Sequence, residues 1–291
     1  MELPLVVGVD GSESSLLAVD WAVDEAARHG LTLRLVHGAR WERYERALPP
    51  LATGRPAGEV MAQNIVAACA ERARLRDPAV KVSGEVLPDD ATSVLLHAAT
   101  DAFALVVGDR GRGEVSGLLL GSVSLAVAAR AVCPAVVVRG AQPDVRGSFG
   151  RVVVGVGDAA EHTGAVRFAA REARARGCAL TAVRAWRRPA HERDGRPLAG
   201  DDASTAHDDR ASAELENALR EAVREHPDLS VRRRVVEGPA HRVLLDAAAG
   251  ADLVVVGAAR RHGRFGLQLG RAAHTLLHHS ACPVVVVPQR I

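Results

Sequence analysis

Lysine is almost missing from this sequence. Of 37 basic residues only Lys81 is a lysine, and the rest are arginines. That pattern reads as the codon bias of a GC-rich genome, not as a phosphate-binding device. Aromatic residues make up 3% of the chain, which leaves few stacking platforms for single-stranded nucleic acid. Neither charge sign dominates: the net charge is +2, too balanced for a nucleic-acid footprint. The four cysteines, Cys69, Cys133, Cys178 and Cys282, form no C-x-x-C pair and have no histidine at zinc-finger spacing. They read as free thiols in a reducing compartment. No apolar run approaches the roughly 18 residues of a membrane span. The chain enters a strand pattern directly after Pro4, with no charged leader, apolar leader core or cleavage site. The expectation is a cytoplasmic protein that binds neither nucleic acid nor membrane.

What is present is the balance of an ordinary globular protein: 291 residues, 48% hydrophobic and 25% charged. At roughly 150 residues per domain, that length predicts two domains. Internal similarity says the same. Val7-Gly8-Val9 recurs as Val154-Gly155-Val156, and Val94-Leu95-Leu96 as Val243-Leu244-Leu245. Leu105-Val106-Val107-Gly108 returns at Leu253 to Gly257, and Cys133-Pro134 returns as Cys282-Pro283. The anchors keep one offset of 147 to 149 residues. The seam falls in the Gly-, Pro- and Asp-containing stretch from Gly140 to Ser148, so the domains are read as residues 1–141 and 148–291.

Each half alternates strand and helix. In the first, Leu5–Val9, Leu31–His37, Val80–Val86, Phe103–Val107 and Pro134–Arg139 read as strands. Ser12–His29, Glu59–Arg76, Asp90–Thr100 and Ser122–Ala131 read as helices, and the proline-rich stretch Trp41–Gly58 as a loop. The second half repeats this order, with its long loop at Arg187–Asp202. The predicted class is α/β: two tandem, doubly wound, parallel five-stranded sheets, strand order 3-2-1-4-5, with helices on both faces. In that order the winding reverses between strands 1 and 4, and ligands bind at the carboxyl ends of the strands flanking such a point. The segments Gly8 to Ser12 and Gly108 to Gly111 should therefore meet in one crevice.

The second of these segments opens a glycine pattern. Gly108-x-x-Gly111 is followed after nine residues by Gly121-Ser122-Val123-Ser124. Glycines let the backbone approach an anion, and a helix opening at Ser122 offers free N–H groups and a favourable dipole. The hydroxyls of Ser122 and Ser124 add donors. No lysine follows Gly121, which excludes a Walker loop, and the placement after the fourth strand excludes a dinucleotide fingerprint. Turn glycines with a simple N-cap give the same spacing; the switch-point location favours ligand binding.

With Val7-Gly8-Val9-Asp10-Gly11-Ser12, this glycine spacing and the Cys-Pro closing strands, both halves resemble the universal stress protein family. The first half matches that family's nucleotide motif, G-x2-G-x9-G-[ST], in full. The resemblance implies an ATP site, with or without Mg. Asp10 would meet the ribose and the backbone near His37 and Gly38 the adenine. Gly108, Gly111, Gly121, Ser122 and Ser124 would hold ribose and phosphates, with Val107 and Val123 as flanks. Asp109 departs from the small hydroxyl residue often found there, and a carboxylate beside phosphates must point away or meet a metal. In the second half Arg260 replaces the second glycine, Arg271 the hydroxyl residue and Gly157 the acid. Its motif is degenerate and is expected not to bind nucleotide. Arg260, Arg261, Arg264 and Arg271 as a separate anion site is the alternative. The apolar closing strands Ala135–Val138 and Val284–Val287 are edges in the expected order, and they and the resemblance both imply a pseudo-twofold dimer within one chain.

Other candidates are weaker. His274 and His278, four residues apart on a helix with His279 beside them, have no acid or cysteine placed near them, so a solvated face is expected and no metal. Asp201, Asp202, Asp208 and Asp209 read as solvated charges near a helix start. Trp41 and Tyr44 could cover an adenine or pack on the sheet edge. There is no nucleophile elbow, no H-E-x-x-H pair and no lysine for phosphoryl transfer, so no catalytic residue is assigned. The expected function is a nucleotide-dependent stress sensor or regulator, not an enzyme, with slow ATP hydrolysis still compatible. It would act through an unidentified protein partner or through self-association. The alternative is a scaffold of the same family that binds no nucleotide; an enzyme acting on adenylates lacks its H-I-G-H and S-G-G-x-D-S signatures.

Overall fold

The computed structural model describes residues 3–39, 57–111, 120–140, 148–157, 163–188, 200–259 and 269–289. The chain divides into two compact units, Met1–Arg139 and Gly140–Ile291.

The first unit holds strands β1 (Leu5–Gly8), β2 (Leu33–Gly38), β3 (Val82–Leu87), β4 (Ala104–Gly108) and β5 (Ala135–Val138). All its pairings are parallel, in the order β3-β2-β1-β4-β5. Helices α1 (Glu13–His29) and α2 (Ala57–Arg76) pack together on one side, and α3 (Ala91–Ala98) packs with α4 (Ser122–Arg130) on the other. Strands covered on both faces must be apolar throughout. Leu5, Val6, Val7, Leu105 and Val106 accordingly show no exposed surface. The edge strand β3 is half-exposed and carries Ser83 and Glu85.

Local chemistry sets the element ends. Ser12 caps α1 by accepting from Ser15 N–H, and Gly30 closes the helix at φ 66°. Leu31 N–H bonds the Ala26 carbonyl as part of that closure, so β2 starts at Leu33, two residues later than the hydropathy pattern predicts. Asp90 caps α3 through Ser93 N–H, and a single 3-10 turn over Ala99–Asp101 ends that segment.

The second unit holds β6 (Arg151–Val156), β7 (Ala179–Trp186), β8 (Val231–Glu237), β9 (Leu253–Ala259) and β10 (Val284–Gln289). They pair in parallel as β8-β7-β6-β9-β10, the topology of the first unit again. Its helices are α5 (Thr163–Ala175), α6 (Gly200–Glu225), α7 (Ala240–Ala248) and α8 (Arg271–His279). Helix α6 already begins at Gly200, inside the stretch Arg187–Asp202 that the sequence reads as a loop; residues 189–199 lie outside the described residues. Asp201 and Asp202 fall within the first turn of that helix.

The pairs that bind the first two helices of each unit occupy repeat-equivalent positions with opposite sign. Arg72 makes a two-pronged contact with Asp20 at 2.7 and 2.6 Å, and Arg76 does the same with Asp24 at 2.7 Å. In the second unit the equivalent of Asp20 is Arg167 and that of Arg72 is Glu221, and these two lie 2.5 Å apart.

Candidate functional site

The carboxyl ends of β1 and β4 flank a cavity of about 300 Å³. Asp10, Gly38, Val107, Gly108, Gly111, Gly121, Ser122, Val123 and Ser124, the nine residues singled out from the sequence, all line it. They come from four segments that only the sheet order brings together.

Asp10 stands in the turn between β1 and α1. Ser12 donates to its Oδ1 from the backbone N–H at 2.9 Å and from Oγ at 2.6 Å. Gly11 N–H donates to Ser15 Oγ at 3.1 Å. The carboxylate is therefore held in one orientation. A Cβ at Gly111 would stand 2.9 Å from its Oδ2, so Gly111 keeps that side open.

Gly108 meets a stricter limit. A Cβ there would lie 2.2 Å from Ser14 Oγ and 2.7 Å from Ser14 backbone atoms. Backbone cannot give way, so only glycine lets the end of β4 rest against the start of α1. The same Ser14 settles the orientation of Asp109. Ser14 Oγ donates to Asp109 Oδ1 at 2.9 Å and accepts from Arg110 N–H at 3.1 Å, and Arg110 Nε lies 3.5 Å from Asp109 Oδ2. Asp109 does not line the cavity, whereas Arg110 does. The carboxylate that conflicts with a phosphate site is turned aside.

Helix α4 opens on the cavity with Gly121 as N-cap and no side-chain cap. Gly121 N–H donates to the Asp109 carbonyl at 2.8 Å, which fixes where the helix starts. The N–H groups of the next turn face the space an anion would fill. Ser124 differs from the sequence expectation: its Oγ donates to the Gly108 carbonyl at 2.6 Å, so its proton braces β4 against α4. The hydroxyl donor at this helix start is Ser122. His37 also turns back into the protein. Its Nδ1–H donates to the Val9 carbonyl at 2.6 Å, and Gly38, not His37, faces the cavity.

Sequence reasoning missed Ser14 and Ser15, and placed Arg110 in the crevice segment without giving it a role. The run Gly11-Ser12-Glu13-Ser14-Ser15 shows only a helix cap in the sequence. Contacts from Ser14 to residues 95 and 96 positions away have no local signature. Burial disfavours the thiolate at Cys133 and Cys69. Desolvation raises the Cys133 pKa to about 11. Burial, helped by the Asp10 charge, raises that of Cys69 against the opposing pull of Arg72.

The second unit lacks these parts. Gly157 stands for Asp10, Arg271 for Ser122 and Ala273 for Ser124. Arg260, Arg261 and Arg264 lie outside the described residues, as do Trp41 and Tyr44. His274 and His278 put their ring centroids 4.4 Å apart, and His274 is exposed. Among the described residues no third metal-ligating side chain joins them. Asp208 is not merely solvated: its Oδ1 accepts from Trp186 Nε1 at 3.1 Å. Among the described residues no helix is long and apolar enough to cross a membrane.

The model of the "Universal stress protein family" matches residues 3–139 and 148–288. Universal stress protein Rv2005c of Mycobacterium tuberculosis is 31% identical over 294 residues, covering 98% of this chain and 97% of its own length. A universal stress protein of Mycolicibacterium smegmatis is 29% identical over 306 residues, covering 99% of this chain and 98% of its own. Among solved structures, a universal stress protein of Archaeoglobus fulgidus superposes with a TM-score of 0.68 at 16% identity, covering 99% of each chain; it shows the shared fold. With two successive matches that leave only short flanks and a seam, the chain belongs to the universal stress protein family and carries two copies of its domain.

Proposed function

We propose that the first unit binds an adenine nucleotide, ATP in the first instance, and that the protein works as a cytoplasmic, nucleotide-dependent regulator in the stress response. One observation carries this reading: the nine residues of the motif line a single cavity at the switch point, with its obstructing carboxylate pinned outward by Ser14. In this reading Asp10 takes the ribose hydroxyls, Gly38 and Val107 border the base, and Gly111, Gly121 and Ser122 present N–H and hydroxyl donors to phosphate oxygens. Val123 and Ser124 close the wall. Mg would enter with the phosphates; the described lining offers it no carboxylate beyond Asp10.

The reading assigns no catalysis. Phosphoryl transfer needs a cation on the phosphates and a group that positions the nucleophile; the described lining offers Arg110 as a cation but no group assigned to the second task. The one lysine of the chain, Lys81, sits just before β3, at the amino end of the sheet and away from the cavity. The four free cysteines suit a reducing compartment.

The test is a calorimetric titration of nucleotide-stripped protein with Mg-ATP. One site per chain is expected. Two sites would make the second unit a nucleotide site as well. No binding at about 5 mM, a limit of about −3 kcal/mol, would leave an interaction scaffold as the function.

A further inference from the structure

The second unit is not simply an emptied copy of the first. At its own switch point it carries a cavity of about 530 Å³, wider than the first unit's 300 Å³ and differently furnished. Two substitutions open it. The equivalent of Gly38 is Ala185, by the register of β1 with β2 and of β6 with β7. At Gly38 a Cβ would meet Ala91 Cα at 2.8 Å, so the close approach of strand to helix seen in the first unit is closed to the second. The equivalent of His37 is Arg184, which reaches the carbonyl of Val156 through NH1 at 3.3 Å, just as His37 reaches Val9.

The long arginine recruits a new wall. Arg184 pairs with Glu214 of α6, and Arg210 Nε reaches the same carboxylate at 3.1 Å. Helix α6 thereby lines the cavity with His207, Arg210 and Glu214, whereas α2 lends no described residue to the first unit's cavity. Trp186, at the end of β7, stacks on His207 with centroids 5.6 Å apart and planes 24° apart. Asp208 holds the indole by its Nε1–H. The floor is apolar, formed by Val156, Val183, Leu244 and Val256.

The charges do not balance. Among the described residues Arg184, Arg187 and Arg210 line the cavity against the one acid Glu214, and counting Asp208 at the rim still leaves one positive charge over. The excess sits at the mouth, because Arg184 is buried in its pairing while Arg187 and Arg210 are exposed. The hydroxyl-bearing helix start and the ribose-facing acid of the first unit are both absent, with Arg271, Ala273 and Gly157 at those positions.

We propose that this cavity binds a planar aromatic carboxylate: a flat ring over the apolar floor beside Trp186, and one anionic group on the exposed guanidinium of Arg187 or Arg210. Guanidinium forks match a carboxylate in two-pronged geometry, and an indole edge or face gives a ring a specific seat. The proposal does not rest on nucleotide binding in the first unit.

The full chain is titrated with 2-naphthoate, followed by ligand fluorescence, with 2-naphthalenemethanol as the uncharged analogue. One equivalent should bind, the uncharged analogue about 10-fold more weakly. Trp186→Leu should weaken naphthoate about 10-fold, and the paired variant Arg187→Ser with Arg210→Ser, on exposed positions, about 5-fold. Saturating Mg-ATP should not displace the probe. The proposal is overturned by absence of naphthoate binding at about 2 mM, by equal binding of both analogues, by indifference to the arginine variant, or by displacement with ATP.

Discussion

The two units run the same path through space and part company at the crevice. In the first, small residues bring backbone against backbone: Gly108 against Ser14, Gly38 against Ala91, Gly121 against the Asp109 carbonyl. In the second, long side chains fill the corresponding edge, with Arg184 bridging from the Val156 carbonyl to Glu214. A repeated sheet conserves the position of the mouth, while the side chains around it decide what the mouth can hold. The helix pairs teach a companion lesson. Asp20 with Arg72 and Arg167 with Glu221 occupy equivalent places with reversed signs. What the packing requires there is opposition of charge; either order of signs meets it.

Four experiments press on this comparison. The largest effect should come from copying the second unit's residues into the first, Gly111→Arg with Ser122→Arg. The arginine Cβ would crowd Asp10 Oδ2 at 2.9 Å, and the hydroxyl donor would be gone. ATP binding should fall by more than about 300-fold by calorimetry, beyond the about 3 kcal/mol upper range for the loss of one charged hydrogen bond. Retained binding would show that these arginines are not what separates the units. Next, Asp10→Ala should weaken ATP by about 1.5–3 kcal/mol, the range for a hydrogen bond to a charged group. An unchanged affinity would remove Asp10 from the site.

The charge reversal comes third. Asp20→Arg alone sets like charges together, and urea unfolding should show a loss of about 1 kcal/mol, small because Arg72 is 41% exposed. Adding Arg72→Glu should restore most of it, since the pair then copies the second unit. If the double variant stays as weak as the single one, sign order matters after all. The smallest effect belongs to Ser14→Ala. Losing the 2.9 Å donor to Asp109 frees that carboxylate to swing toward the phosphate region. ATP affinity should drop about 2- to 5-fold, with a steeper dependence on low salt than the parent shows. No change would mean that Asp109 does not depend on Ser14 for its orientation.

Much of the first unit's cavity was readable in sequence because glycine spacing reports backbone demands directly. Gly108 records a place where no Cβ fits, against Ser14 backbone, while Gly111 and Gly121 keep the approach to Asp10 and to the Asp109 carbonyl open. Side-chain direction was not readable. Asp109 looked hostile to phosphate until Ser14, 95 positions earlier, was seen to hold it aside. Ser124 looked like a phosphate donor until its proton was found on the Gly108 carbonyl. The second unit was the harder case. Absences at Gly157 and Arg271 are visible in sequence, whereas the wall built from Trp186, His207 and Glu214 joins residues from a strand and a helix with no spacing rule between them.

Sequence alone determined the duplication, the parallel sheet order and the place of the crevice. Those follow from hydrophobic periodicity, glycine and proline punctuation and the handedness of strand–helix–strand connections, all of which act locally along the chain. Tertiary structure decided which hydroxyl proton goes where, which carboxylate faces the cavity, and which guanidinium crosses to which acid. Those choices depend on distances between segments far apart in sequence, and a hydrogen bond exists only within a few tenths of an ångström of its ideal length.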